Sequence, residues 1–287
     1  MLMFKSLNLG AVSLDLPFEE GLRLAREHGF AALDLPSPVL AGSAAPSAAV
    51  LRERYAAAAV RPGGWALPVD FRRDEETFRR DLADLPRQAA LAGELGAPWC
   101  FTWILPYSDE QDYAANMERH AARLRQAARI LAEQGCRLGL EFVGPATLRA
   151  GHRYPFIHTI AETLELVARI DVPGTGMLLD CWHWYTSHAS LADIGTLSKD
   201  AVVYVHVNDA PQGLEVDAQI DNQRLLPGDS GVIDVAGFLR ALAGLGYDGP
   251  VVVEPFNAAL AQFAPEARVA AVAASLARVW AESGLPG

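Results

Sequence analysis

Short runs of β-branched and apolar residues alternate with longer amphipathic stretches along the whole chain, and eight such runs fall within its 287 residues. They are "FKSLNLGAV" from Phe4, "AALDLP" from Ala31, "RPGGWALPVD" from Arg61, "PWCFTWILP" from Pro98, "RLGLEFVGP" from Arg137, "TGMLLDCWHWY" from Thr175, "VVYVHVNDA" from Val202 and "PVVVEPFN" from Pro250. Runs of this length and composition predict strands, and apolar positions recurring three and four residues apart predict helices between them. Asp74 to Gly96 and Asp112 to Gln134 carry the helical spacing most clearly, with Arg and Glu on the opposite face. "PFEEGLRLAREHGF", "TIAETLELVARI", "VIDVAGFLRALAGLGYDG" and "APEARVAAVAASLARVWAES" follow the same rule, whereas Ser190 to Ala201 leaves room for a short helix only. "LAGSAAPSA" at Leu40 predicts an exposed loop. No longer Gly/Ser/Pro tract divides the chain, so one domain over residues 1–287 is expected. Eight β/α units in this length give an α/β fold of the (β/α)8 TIM barrel type. An open doubly wound sheet would carry a glycine-rich phosphate turn after its first strand, and "NLGAVSLDL" has a single glycine there.

A barrel brings the C-terminal ends of its strands to one mouth. Glu141, Asp180, His206 and Glu254 each follow an apolar run of about four residues in strands five to eight, just before a loop. Three carboxylates and an imidazole aimed at one point repel each other unless their proton affinities shift or a cation joins them. One divalent metal ion is the expected solution. An oxygen-rich set with one imidazole suits Mn2+ first, with Mg2+, Co2+ or Zn2+ as other candidates. Pairing with basic residues is the competing explanation, and the ends of strands five to eight supply almost none.

Near the same strand ends, His183 lies three positions after Asp180, and Arg224 lies in "DNQRLLPGDSG" after strand seven. Both are expected to touch substrate, Arg224 through its fixed guanidinium fork. Trp103, Trp182, Trp184 and Phe256 flank the mouth and suit the apolar face of a ring, Trp103 being the one assigned to substrate. Cys181 should alternate to the far side of its strand, and Asp209 is expected to orient a neighbouring group. The remaining histidines, His28, His120, His152, His158 and His188, read as helix or loop residues.

Charge and composition exclude several classes of function. Twenty-four basic residues stand against 35 acidic ones, for a net charge of -11, and no basic stretch exists to grip a polyanion, so nucleic acid is not an expected partner. The first residues lack the uninterrupted apolar stretch of a secretion signal, and no run approaches the length of a membrane span. Cys100, Cys136 and Cys181 show no paired spacing, which fits a reducing compartment. A cytoplasmic protein with no membrane contact is therefore expected.

"LGLEF" with Glu141, "LLDCWH" with Asp180 and His183, "VHVND" with His206, "RLLPGDSGVID" with Arg224 and "GYDGPVVVEPFN" with Glu254 resemble the xylose isomerase-like TIM-barrel superfamily, in its sugar isomerase and epimerase branch. The resemblance covers the C-terminal half; the first 130 residues match in rhythm alone. It implies a metal held by Glu141, Asp180, His206 and Glu254, proton transfer by Glu141 and Glu254, and substrate contacts from His183 and Arg224. The implied activity is a divalent-metal-dependent isomerase or epimerase of a ketose, inosose or related polyol, acting through a metal-stabilised enediolate. The alternatives it leaves are a dehydratase of an inosose or dehydroshikimate-type substrate and a sugar-binding barrel without turnover. Barrels of this branch are often dimers or tetramers, which implies a homo-oligomer. The superfamily's endonucleases add histidines after strands two to four and an Asp-x-His pair after strand seven. Here "ALPVD" and "FTWILP" lack histidine, and Asn222 and Arg224 stand in place of the pair.

Overall fold

The computed structural model describes residues 3–40 and 46–286. Its strands are β1 (Phe4–Leu7), β2 (Ala32–Leu33), β3 (Arg61–Pro62), β4 (Trp65–Ala66), β5 (Trp99–Trp103), β6 (Tyr107–Ser108), β7 (Arg137–Glu141), β8 (Tyr154–Pro155), β9 (Thr175–Asp180), β10 (Val202–Val207) and β11 (Pro250–Val253). Nine of them form a curled sheet in the order β3-β2-β1-β11-β10-β9-β7-β5-β4, while β6 and β8 make a small antiparallel ribbon. Every pairing in the large sheet is parallel. Its two ends, β3 and β4, are consecutive in sequence, separated by Gly63 and Gly64. The chain itself closes the circuit, which makes eight staves and a TIM barrel.

The third expected strand is thus two short pieces, β3 bonded to β2 and β4 to β5. The break has a packing cause. A Cβ at Gly64 would fall against the Tyr204 ring and 3.0 Å from the Trp99 carbonyl oxygen. Gly64→Ala should therefore cost about 1–3 kcal/mol, read as a lower midpoint of thermal unfolding with the barrel's far-ultraviolet spectrum retained.

Helices on the outside bury one face against the strands, and their ends follow capping chemistry. The two long segments form Glu75–Leu95 and Tyr113–Glu133, one residue inside the expected limits at each end. Asp74 and Asp112 accept backbone N–H bonds from Thr77 and Ala115 at 2.9 Å, and Gly96 closes the first helix at φ 73°. Helix Ala48–Ala57, capped by Ser47, was absent from the expectation, because its many alanines mark no clear face. Residues 41–45 of the expected loop at Leu40 lie outside the described residues. No described helix is long and apolar enough to cross a membrane.

Side chains two apart on a strand share a face. Leu178, Tyr204 and Val252 form a cluster of their own, apart from the main core, with Trp99 and Phe101 packed on it. Each stands two residues before Asp180, His206 or Glu254, so this packed layer is the floor beneath those three residues. Tyr204 is anchored across the barrel by Asp34, whose buried carboxylate also accepts from Ser6 Oγ at 2.7 Å, Asn8 Nδ2 at 2.9 Å and the Gly64 N–H at 2.9 Å.

Candidate metal centre

Glu141 ends β7, Asp180 ends β9, His206 sits one residue before the end of β10, and Glu254 follows β11. Asp180 and His206 are direct partners in the sheet register. One donor atom from each of the four lies within 4.8 Å of every other. His206 Nδ1 stands 3.3 Å from Glu141 Oε1 and 3.4 Å from Glu254 Oε2. Donors on opposite sides of a divalent ion held at about 2.0–2.4 Å are at most about 4.8 Å apart, so the cluster has the span of a coordination sphere. Three carboxylates and one imidazole are also a donor set for a hard or borderline divalent ion. The residues present therefore fit a metal.

The electrostatics divide the two glutamates. Burial pushes the Glu141 carboxyl up to about 8, reinforced by Glu254 and Asp180 and opposed by the His206 ring. Burial also works against the Glu254 charge, but His206 and Arg224 outweigh it and hold that carboxyl below its usual range. For His206, burial disfavours the cation, yet Glu254 and Glu141 keep the ring protonated well above the ordinary histidine range. His183 has burial against it and no close carboxylate strong enough to compensate; it falls to about 3 and stays neutral.

Arg224 corrects the expectation that the acids lack basic partners. It is 2% exposed and donates from Nη1 to Asp180 Oδ2 at 2.7 Å and to Glu254 Oε2 at 3.1 Å. Nη2 bonds Asp221 Oδ1 at 2.8 Å and stands 3.3 Å from His183 Nε2. The strand ends supply no such cation; the long loop after β10 reaches back with one. Phe256, at a left-handed φ of 34°, lies over the guanidinium at 4.5 Å.

A second correction concerns the turn after β9. Residues Cys181–Thr186 form a helix rather than a continued strand, and Asp180 caps it by accepting the Trp182 N–H at 2.8 Å. The helix turns His183 toward the cluster, with Nε2 3.9 Å from Glu141 and from Asp180. Cys181 packs its sulfur on Asn208 instead of alternating along a strand. Asn208 donates from Nδ2 to Asp180 Oδ1 at 3.0 Å and to the Glu254 carbonyl at 3.2 Å. Asn208 carries no signal of this role in the sequence, since an uncharged amide between Val207 and Asp209 reads as an ordinary turn residue. Trp103 stays outside the cluster, 43% exposed, with the Arg72 guanidinium 4.3 Å above its ring. A cavity of about 810 Å³ opens beside His206 and Glu254, walled by Leu14, Leu35, Ala66, Phe101 and Phe256.

A closed parallel barrel with a buried cluster of acids and one imidazole at its C-terminal mouth defines a TIM barrel of the type that keeps its chemistry on strand ends. Residues 22–279 match the family described as xylose isomerase-like TIM barrel, and the chain belongs to that family. It is 24% identical to an inosose isomerase of Halalkalibacterium halodurans over 68% of this chain and 66% of that protein. It is 32% identical to a 3-dehydroshikimate dehydratase of Pseudomonas aeruginosa over 63% of this chain, but that match spans 27% of the dehydratase. A xylose isomerase domain protein from Alicyclobacillus acidocaldarius superposes with a TM-score of 0.87 at 32% identity, covering 98% of this chain and 99% of that one. It is also 25% identical to a ketose 3-epimerase of Arthrobacter globiformis, over 61% of this chain and 55% of that protein.

Proposed function

We propose that the chain is a divalent-metal-dependent isomerase or epimerase of a ketose, inosose or related polyol. The observation that carries this reading is the pair of glutamates, Glu141 buried and Glu254 partly exposed, at the ends of strands that flank β9 and β10, which meet at one ion-sized point beside a cavity. Glu141, Asp180, His206 and Glu254 would hold the ion, Mn2+ first. When bound, the ion supplies Lewis acidity that makes the C–H beside a carbonyl easier to ionise.

The proton steps belong to the protein. Glu254, kept anionic by His206 and Arg224, takes the proton from the carbon next to the carbonyl. Glu141, on the strand at the other edge of the site, returns one from the opposite side. Delivery to the opposite face of the same carbon inverts it; delivery to the adjacent carbon exchanges aldose and ketose. His183, neutral, and Arg224 hold substrate oxygens, and Trp103 offers its exposed ring at the rim. A dehydratase is the second reading, favoured by the 32% identity to the Pseudomonas aeruginosa protein. There the same carbanion would expel a β-hydroxyl.

The two readings separate in D2O. Metal-loaded protein incubated with ketoses, inososes and dehydroshikimate should place deuterium beside the carbonyl with the carbon skeleton's formula otherwise conserved, seen by NMR and mass spectrometry, and give an epimer or isomer. Product lighter by one water, with no epimer from any substrate of the panel, would replace the proposal with the dehydratase.

A further inference from the structure

Asp209 is fully buried and lies three residues beyond His206, yet it is no part of the metal cluster. Its Oδ1 accepts the N–H groups of Ala210 at 2.8 Å and Ile233 at 3.0 Å. Its Oδ2 accepts those of Ser230 at 2.9 Å and Gly231 at 2.7 Å. Four backbone donors fill the four lone-pair positions of one carboxylate, which leaves none for a metal or a substrate. The backbone of the same residue pairs with Leu225 in both directions, at 2.9 and 2.8 Å, in an isolated antiparallel bridge. Leu225 is the neighbour of Arg224.

Asp209 therefore ties down the long loop after β10 at two places, its far end and the residue beside the guanidinium. Other contacts also hold that loop: Thr147 Oγ1 bonds the Gln219 carbonyl at 2.8 Å, the His188 ring lies 2.8 Å from Asp217, Ser230 Oγ donates to the Ala210 carbonyl at 2.6 Å, Gln212 Nε2 donates to the Ser230 carbonyl at 2.8 Å, and Arg278 bonds the Pro227 carbonyl and Asp229, both at 2.9 Å. None of these contacts is adjacent to Arg224 in sequence.

We propose that Asp209 is a positioning residue that sets Arg224 onto Asp180 and Glu254, so that the loop after β10 delivers a built-in counter-cation with which an incoming metal must compete. This rests on reading the four strand-end residues as metal ligands. The consequence is specific. Arg224 Nη1 occupies one oxygen of Asp180 and one of Glu254, and anything that loosens the loop releases both oxygens to the ion.

Asp209→Asn tests it, because the amide keeps the shape but turns two donors toward backbone N–H groups that need acceptors. Mn2+ affinity is measured by titration in the wild type, Asp209→Asn, Arg224→Ala and the double variant. Each single variant should bind Mn2+ about tenfold more tightly, with no further gain in the double variant, the signature of two residues acting through one contact. Equal, additive gains, or no gain in Asp209→Asn, would overturn the proposal. An independent readout covers a wild type that binds no Mn2+, an outcome that would sink the metal reading alone. The Arg224 Nε–H, bonded to the Asp221 carbonyl at 2.9 Å, should give a protected NMR signal that Asp209→Asn exposes to solvent exchange at least about tenfold faster, while the Val205 amide in β10 is unchanged. Unchanged protection in the variant removes the proposed link. If Asp209→Asn fails to fold, hydrogen exchange in the wild type decides: the Ser230, Gly231 and Ile233 amides must be as protected as strand amides, and rapid exchange there overturns the role.

Discussion

Glu141→Gln and Glu254→Gln, each assayed at saturating Mn2+, should lose about 10³-fold or more in kcat, close to 4 kcal/mol of transition-state stabilisation, while the barrel stays folded. Glutamine preserves size and one oxygen donor but can neither take nor return a proton at neutral pH. Two-base chemistry adds a sharper expectation than loss of rate. The variant that keeps its base can still open the C–H bond on that base's face, so one epimer should continue to exchange its proton for deuterium after net conversion has stopped. Glu254→Gln and Glu141→Gln should retain exchange on opposite epimers. Retention of more than a tenth of wild-type turnover by either variant, with its metal content intact, would remove that glutamate from the proton path.

Much of this arrangement was legible because strand ends in a parallel barrel obey a simple rule. An acid or imidazole after four apolar residues has nowhere to go but the mouth, and Glu141, Asp180, His206 and Glu254 meet there as that rule requires. Asp34 shows where the rule stops. It follows the apolar run of β2 in the same way, yet its carboxylate is occupied by Ser6, Asn8, Gly64 and Tyr204 and braces the floor of the site. Nothing local in "AALDLP" separates a bracing acid from a ligand, because the difference is set by Tyr204, 170 residues away in sequence. Arg224 was visible as a residue but not as a partner of Asp180, since a loop's return path depends on contacts such as those at Asp209. The helix after Asp180 was hidden for a related reason. "CWHWYT" is rich in strand-favouring aromatics, and the cap supplied by Asp180 overrides them. Helix Ala48–Ala57 carried too little contrast between faces for periodicity to register.

Removal of the metal should produce the largest change in stability, and its pH dependence follows from the site's proton affinities. In the metal-free protein the Glu141 carboxyl is raised from 4.5 to about 8. Its contribution is complete below the unfolded value and is lost as pH rises toward the folded one, because the unfolded chain releases that proton first. His206 is raised above 6.5 and acts in the same direction, losing its contribution as pH climbs through its folded value. Glu254 is lowered, and its contribution fails only on the acid side of 4.5. His183, lowered from 6.5 to about 3, and His120, lowered to about 4, act in the opposite direction below 6.5, so metal-free protein should melt at progressively lower temperature as pH is raised from about 6.5 to about 8. Bound metal replaces those protons as the counter-charge, so its stabilising effect should grow over the same window, reaching about 4 kcal/mol at a thousandfold excess over Kd. Removing the one nitrogen donor should break this coupling: His206→Ala should keep little metal after dialysis and show a melting temperature indifferent to added Mn2+. A metal-free wild type whose melting temperature rises between these pH values, or a His206→Ala protein with full metal occupancy, would mean that the four strand-end residues are a charge network held by Arg224 and not a metal site.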